Sequence, residues 1–139
     1  MPLNPHIVVV DDNPQEVDLL REAFAEADVP VGITGLATGA EAFRHLGLDG
    51  VRQITQRPDA ILIDLHLPVI DGATVLAAIR RTPHLQDIPT FVISSSIRPQ
   101  DRATVSADGW FAKPATFAGY APLVELVLEK LAARRDDDR

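Results

Sequence analysis

Five short apolar runs, each followed by a stretch whose apolar residues recur at helical spacing, constrain this chain more than any other feature. Residues 6–10 (HIVVV) are rich in β-branched side chains and read as a buried strand. Asn13 then offers an N-cap, Pro14 suits the first helical position, and Glu16 stands three residues after the cap. Val17, Leu20, Phe24 and Ala27 continue at helical spacing. Further strands are predicted at 31–36, 60–63, 90–93 and over the GWFAK run ending at Lys113. Thr38 and Glu41 have the spacing of a capping box ahead of Ala42, Phe43 and Leu46. Helices are predicted at 71–81, at 99–106 as a short one, and at 122–134, while 48–58 reads as a helix end and a loop. Strands alternating with helices imply a parallel sheet with right-handed crossovers and helices on both faces. Ligands of such open sheets bind at the carboxyl ends of the strands, where the strand order reverses.

A chain of 139 residues holds one ordinary domain. With 46% hydrophobic and 24% charged residues it has a common globular composition, and no apolar run approaches the length of a transmembrane helix. The N-terminus lacks a basic start and an apolar signal core, so a cytoplasmic location is expected, with no membrane contact. The absence of cysteine excludes disulfides, thiolate catalysis and cysteine-ligated metal sites. The net charge is −7, and the tail RRDDDR sums to zero, so the negative excess belongs to the folded body. Such a body is a poor fit for a phosphate backbone. A protein partner is expected, with no direct contact to nucleic acid.

At the carboxyl ends of the predicted strands stand Asp11 and Asp12, Asp64, Ser94, and Lys113 followed by Pro114. Three carboxylates on one rim repel one another by several kcal/mol per pair at an effective dielectric near ~20, unless a divalent cation neutralises them. Oxygen ligands with room for water suit Mg²⁺. A metal site beside a carboxylate nucleophile, an ammonium and a hydroxyl suits phosphoryl transfer through an acyl phosphate. Asp64 is the expected nucleophile because its strand is central.

These residues resemble the receiver domain of two-component response regulators. The resemblance covers roughly residues 6–134 and rests on VVVDDN, LIDLHLPVIDG, PTFVISS and GWFAKPA, in that order and each at a strand end. It implies a flavodoxin-like α/β fold, (βα)5, with a five-stranded parallel sheet in the order 2-1-3-4-5. It implies that Asp64 accepts a phosphoryl group from a sensor histidine kinase or phosphotransfer protein. It further implies that Asp11, Asp12 and Asp64 hold Mg²⁺ together with the backbone carbonyl of His66. Ser94 would be the switch hydroxyl, Lys113 would pair with the phosphoryl group, and Trp110 falls at the switch aromatic. The Lys113–Pro114 bond would be cis. Beyond self-phosphorylation and autodephosphorylation, no enzymatic activity is implied.

The chain departs from compact receivers in two spacings. Fifty-two positions separate Asp12 from Asp64, which is long and resembles the stand-alone regulators paired with bacterial phytochromes. Sixteen separate Ser94 from Trp110, which predicts a shortened fourth helix. Simpler roles exist for single residues: Asp11 and Asp12 could start a helix, Ser94 could be a turn residue, Trp110 could be core, and the His66 side chain could merely face solvent. His6, His45 and His84 lack ligand spacing and read as structural. A haloacid-dehalogenase-type phosphatase needs a second acid two residues after its nucleophile, where this chain has His66. The alternative function is a receiver-like module that binds partners without phosphorylation, but such a module would be expected to lack a site residue.

The receiver is expected over 1–134, with 135–139 a disordered charged tail. With nothing else beyond the last helix, the expected output is protein contact or onward phosphotransfer. The final helix carries apolar residues over an arc wider than the ~100° stripe that one sheet face needs. Leu123 and Leu126 lie at its margin, where either the neighbouring loop at 114–121 covers them or, the reading favoured here, they are exposed and form a homodimer through the last helix and strand.

Overall fold

The computed structural model describes residues 4–50 and 57–137. The strands are β1 (His6–Val10), β2 (Gly32–Leu36), β3 (Ala60–Ile63), β4 (Thr90–Ser94) and β5 (Gly109–Ala112). They form one parallel sheet in the order β2-β1-β3-β4-β5. The crossovers carry α1 (Pro14–Glu26), α2 (Gly39–His45), α3 (Gly72–Arg81) and α4 (Pro99–Thr104), and α5 (Ala121–Asp137) follows β5. The fold is flavodoxin-like, and α4, with 6 residues, is short as the spacing predicts. Of the stretch 48–58, expected to hold a helix end and a loop, residues 51–56 lie outside the described residues.

Side chains alternate across the sheet because successive residues of a strand point to opposite faces. Ile7, Val9, Leu62, Phe91 and Ile93 pack beneath α1 and α5. Val8, Val10, Ile61, Ile63 and Val92 pack beneath α2 and α3. The central strands are buried on both faces, which is why they read as unbroken apolar runs.

Caps set most helix starts. The Asn13 side chain accepts from the Gln15 N–H at 3.0 Å, and the Thr38 hydroxyl accepts from the Glu41 N–H at 3.0 Å. Asp71 Oδ1 accepts from the Thr74 N–H at 2.8 Å. Glu41 reaches back to the Ala37 N–H (2.7 Å), one residue before the cap. Glu16 behaves differently from the expected capping box: its side chain turns inward and is 5% exposed.

Two expectations about the C-terminus are corrected. The last helix runs through Arg135 and Asp136 to Asp137, past the boundary set at 134, since Ala132, Ala133, Arg134 and Arg135 favour helix. Asp138 and Arg139 lie outside the described residues. Leu123 is 2% exposed and belongs to the core. A single 3-10 turn at Phe117–Tyr120 covers that margin of the helix. Leu126 is half-buried over Gly109, where the absence of a side chain leaves it room: an added Cβ would lie 3.0 Å from Leu126 Cδ2. The unsatisfied apolar margin read from the helix arc is thus filled within the chain. Among the described residues, Val69 is the large apolar side chain that stands fully exposed.

Candidate acidic phosphoryl-transfer site

The site sits where the sheet ladder runs one residue past its strands. The Asp11 N–H donates to the Leu36 carbonyl (3.0 Å), the Asp64 N–H to the Val10 carbonyl (2.9 Å) and the Lys113 N–H to the Ser94 carbonyl (2.9 Å). Each functional side chain therefore leaves a backbone that is still pinned to its neighbour strand. Sheet order does the rest, because β1, β3 and β4 are adjacent and parallel.

Asp64 is 4% exposed, and three donors hold its carboxylate. Oδ1 accepts from the His66 N–H at 2.9 Å and from the Ser94 hydroxyl at 3.0 Å. Oδ2 accepts from Lys113 Nζ at 2.9 Å. The loop after Asp64 folds back tightly: Gly72 N–H donates to the Leu65 carbonyl at 2.9 Å, and a Cβ on Gly72 would collide with the Asp64 carbonyl oxygen. Only glycine permits that approach.

Asp11 Oδ1 accepts from the Asn13 N–H at 2.9 Å, an aspartate turn like that of Asp64. Lys113 Nζ also stands 3.0 Å from Asp11 Oδ2, an ion pair by distance whose angle makes no hydrogen bond. Asp11 Oδ2 is thus buried without a hydrogen-bond donor. Burial raises the proton affinity of Asp11, and the Asn13 N–H and Lys113 offset part of that rise. Burial acts on Lys113 to lower its pKa, but its hydrogen bond to Asp64 and the negative charges of Asp11 and Asp64 outweigh this and hold it well above the usual lysine value.

Carboxylate oxygens of Asp11, Asp12 and Asp64 come within 4.8 Å of one another, with Asp12 exposed and the other two buried. The donor set is all oxygen, and one of its members, Asp11, has a buried oxygen with no hydrogen-bond partner. These residues fit a divalent cation, which would neutralise the cluster and use the oxygen that Lys113 leaves without a hydrogen bond. A groove of about 530 Å³ runs from Asp12 past His66 and Pro68 to Arg98 and Val105, open to solvent beside this cluster.

Asp11, Asp12, Asp64, Ser94 and Lys113 therefore converge as the sequence predicts, and the His66 backbone joins them through its N–H. The His66 ring does more than face solvent: Nε2 lies 2.8 Å from the Ser96 carbonyl, tying the loop after β3 to the loop after β4. Trp110 is not part of the cluster. It is half-buried against the α3 side of the sheet with the Arg102 guanidinium 5.6 Å from its ring centroid. The Lys113–Pro114 peptide is trans, contrary to the expected cis bond.

Sequence reasoning missed Tyr120, whose hydroxyl donates to Glu16 Oε1 at 2.8 Å in the buried layer between α1 and α5. It also missed the backbone at Val69. Its φ is +67°, and the Ile70 N–H donates to the Pro68 carbonyl at 2.8 Å across it, which makes a strained γ-turn. The Pro-Val-Ile-Asp-Gly run offered a turn signal but not its hand.

The family model described as the response regulator receiver domain matches residues 7–118. The transcriptional regulatory protein PrrA of Mycobacterium leprae is 29% identical over 133 residues, 94% of this chain and 52% of that protein. The chain thus spans about half the length of the curated relatives it first matches. The crystal structure of the phosphorylated cyanobacterial phytochrome response regulator RcpA superimposes with a TM-score of 0.80 at 32% identity, covering 94% of this chain and 96% of that one. The Mn²⁺-bound form of response regulator Rcp1 gives 0.76 at 26% identity, covering 88% and 91%.

Proposed function

Because this chain belongs to the response regulator receiver family, we propose that it accepts a phosphoryl group on Asp64 from a sensor histidine kinase or phosphotransfer protein, with Mg²⁺ as cofactor. Receiver domains interact with histidine kinases and bind divalent metal, and the cluster of Asp11, Asp12 and Asp64 supports the metal part of the reading here. The observation that carries the reading is the Asp64 carboxylate, nearly buried and held by three donors at the open end of the sheet. One Asp64 oxygen attacks phosphorus, the bond to the donor's imidazole nitrogen breaks, and an acyl phosphate forms while the imidazole leaves. Lys113 offsets charge on the phosphoryl oxygens, and the Ser94 hydroxyl can turn from Asp64 to one of them. Asp11, Asp12, Asp64 and the His66 carbonyl would hold Mg²⁺, which supplies charge neutralisation for the transferring group.

The molecule acts on no separate substrate in this reading. Its output is a protein contact or onward phosphotransfer, and the likeness to RcpA favours a phytochrome-type kinase as donor. Incubation with acetyl phosphate and Mg²⁺ should add one acid-stable, base-labile phosphoryl group, with acetate leaving. An Asp64→Asn variant labelled to the wild-type extent would refute the assignment.

A further inference from the structure

Glu16 is a buried carboxylate that the phosphoryl chemistry leaves unused. It is 5% exposed, and its partner Tyr120 is 3% exposed. Their 2.8 Å hydrogen bond joins residues 104 positions apart. Burial is the largest influence on both groups and raises both; the bond to Glu16 holds the Tyr120 proton in place still more firmly.

The pair ties together two of the loops that build the site. Glu16 lies in the first turn of α1, directly after Asp11 and Asp12, on a helix capped by Asn13. Tyr120 ends the 3-10 turn that follows Lys113 and Pro114. That turn rests on Pro114, since a Cβ on Gly119 would collide with the Pro114 ring. A closed path thus runs from Lys113 through Pro114, Gly119, Tyr120, Glu16 and Asn13 to Asp11. It ends where Lys113 Nζ meets Asp11 Oδ2 at 3.0 Å.

We propose that Glu16 and Tyr120 are positioning residues, whose hydrogen bond braces the Lys113 loop against the acidic loop while Lys113 exchanges carboxylates for phosphoryl oxygens. The inference rests on Asp64 being the acceptor. Lys113 is anchored at its tip by Asp11 and Asp64, the same carboxylates that a cation and a phosphoryl group would engage. Once they do, the tip anchors weaken and the loop must be held from behind. Apolar packing of the Tyr120 ring holds it in place but gives no direction, whereas a buried hydroxyl-to-carboxylate bond does.

The test compares wild type, Tyr120→Phe and Glu16→Gln. The rate constant for acetyl phosphate labelling at saturating Mg²⁺ is read from intact mass, and Mn²⁺ affinity from paramagnetic resonance of the free ion. Tyr120→Phe keeps the ring and its packing against Phe117. It should label to full extent about tenfold more slowly, since small misplacements of a catalytic group are costly in rate. Its Mn²⁺ affinity should stay within about threefold, and Glu16→Gln, whose amide oxygen still accepts from Tyr120, should stay near the wild-type rate. A wild-type rate constant in Tyr120→Phe overturns the brace, as does a loss of labelled amount with the rate constant unchanged, which marks a purely structural bond. If Tyr120→Phe does not fold, Gly119→Ala displaces Pro114 from the other side. It should be slow likewise, and a wild-type rate there overturns the proposal. Failure of the wild type to label condemns the acceptor reading instead.

Discussion

The Ser94 hydroxyl donates to Asp64 Oδ1 at 3.0 Å, so β4 is coupled to the carboxylate proposed as the phosphoryl acceptor. Ser94 is fully buried, and β5 is the next strand, with Val92 paired to Trp110. A change at Asp64 therefore has a route to the Trp110 edge of the sheet through one hydroxyl and one strand pair.

Ser94→Ala should still be phosphorylated, because the His66 N–H and Lys113 remain on Asp64. Loss of one buried hydrogen bond should cost about 1 kcal/mol of stability. The Trp110 fluorescence change on adding beryllofluoride and Mg²⁺ should disappear. An undiminished change would remove Ser94 from the switch.

Val69 carries a cost in the free protein. A β-branched residue at φ +67° is strained, and its fully exposed side chain gains no burial in return. Val69→Gly should raise the unfolding free energy by about 1 kcal/mol, after allowing for the greater chain entropy of glycine, and so raise the urea midpoint. A lower midpoint would show that the turn is not strained.

Asp11 sets a pH dependence. Its folded pKa is raised, chiefly by burial, so the folded state binds more protons than the unfolded one above the ordinary aspartate value of 3.8. Stability therefore falls as pH rises from that value through the raised one, and the full penalty is present above it. In EDTA at neutral pH, Asp11→Asn should melt a few degrees above wild type, with the gap closing towards pH ~4. Adding Mg²⁺ should stabilise wild type far more than the variant. A variant that melts lower than wild type in EDTA at neutral pH would contradict this.

Leu123 and Leu126 separate core from margin. Leu123→Ala should cost about 3 kcal/mol, as for a buried leucine, and Leu126→Ala clearly less. Urea unfolding measures both. Equal small losses would return Leu123 to the surface.

The sheet was legible because four of its strand-end signals are also site residues, and because the central strands are buried on both faces and cannot alternate. The five converging side chains were legible for the same reason. Glu16 was misread because the spacing of a capping box is the same whether the glutamate turns back to the cap or inward, and its partner Tyr120 lies 104 positions away. For Leu123 the helix arc left two readings open, cover by the 114–121 loop and a partner surface, because an arc records what is apolar and not what covers it. The cover is a 3-10 turn with no periodicity to detect. The hand of the Val69 turn was hidden because valine is among the residues least expected there.

The most direct measurement locates the phosphoryl group. After incubation with acetyl phosphate and Mg²⁺, borohydride reduction converts an aspartyl phosphate to homoserine, and peptide mass spectrometry finds its position. The account predicts homoserine at residue 64 alone, dependent on Mg²⁺ and abolished by EDTA. Homoserine at Asp11 or Asp12, or none at all in folded protein with Mg²⁺ present, would contradict it.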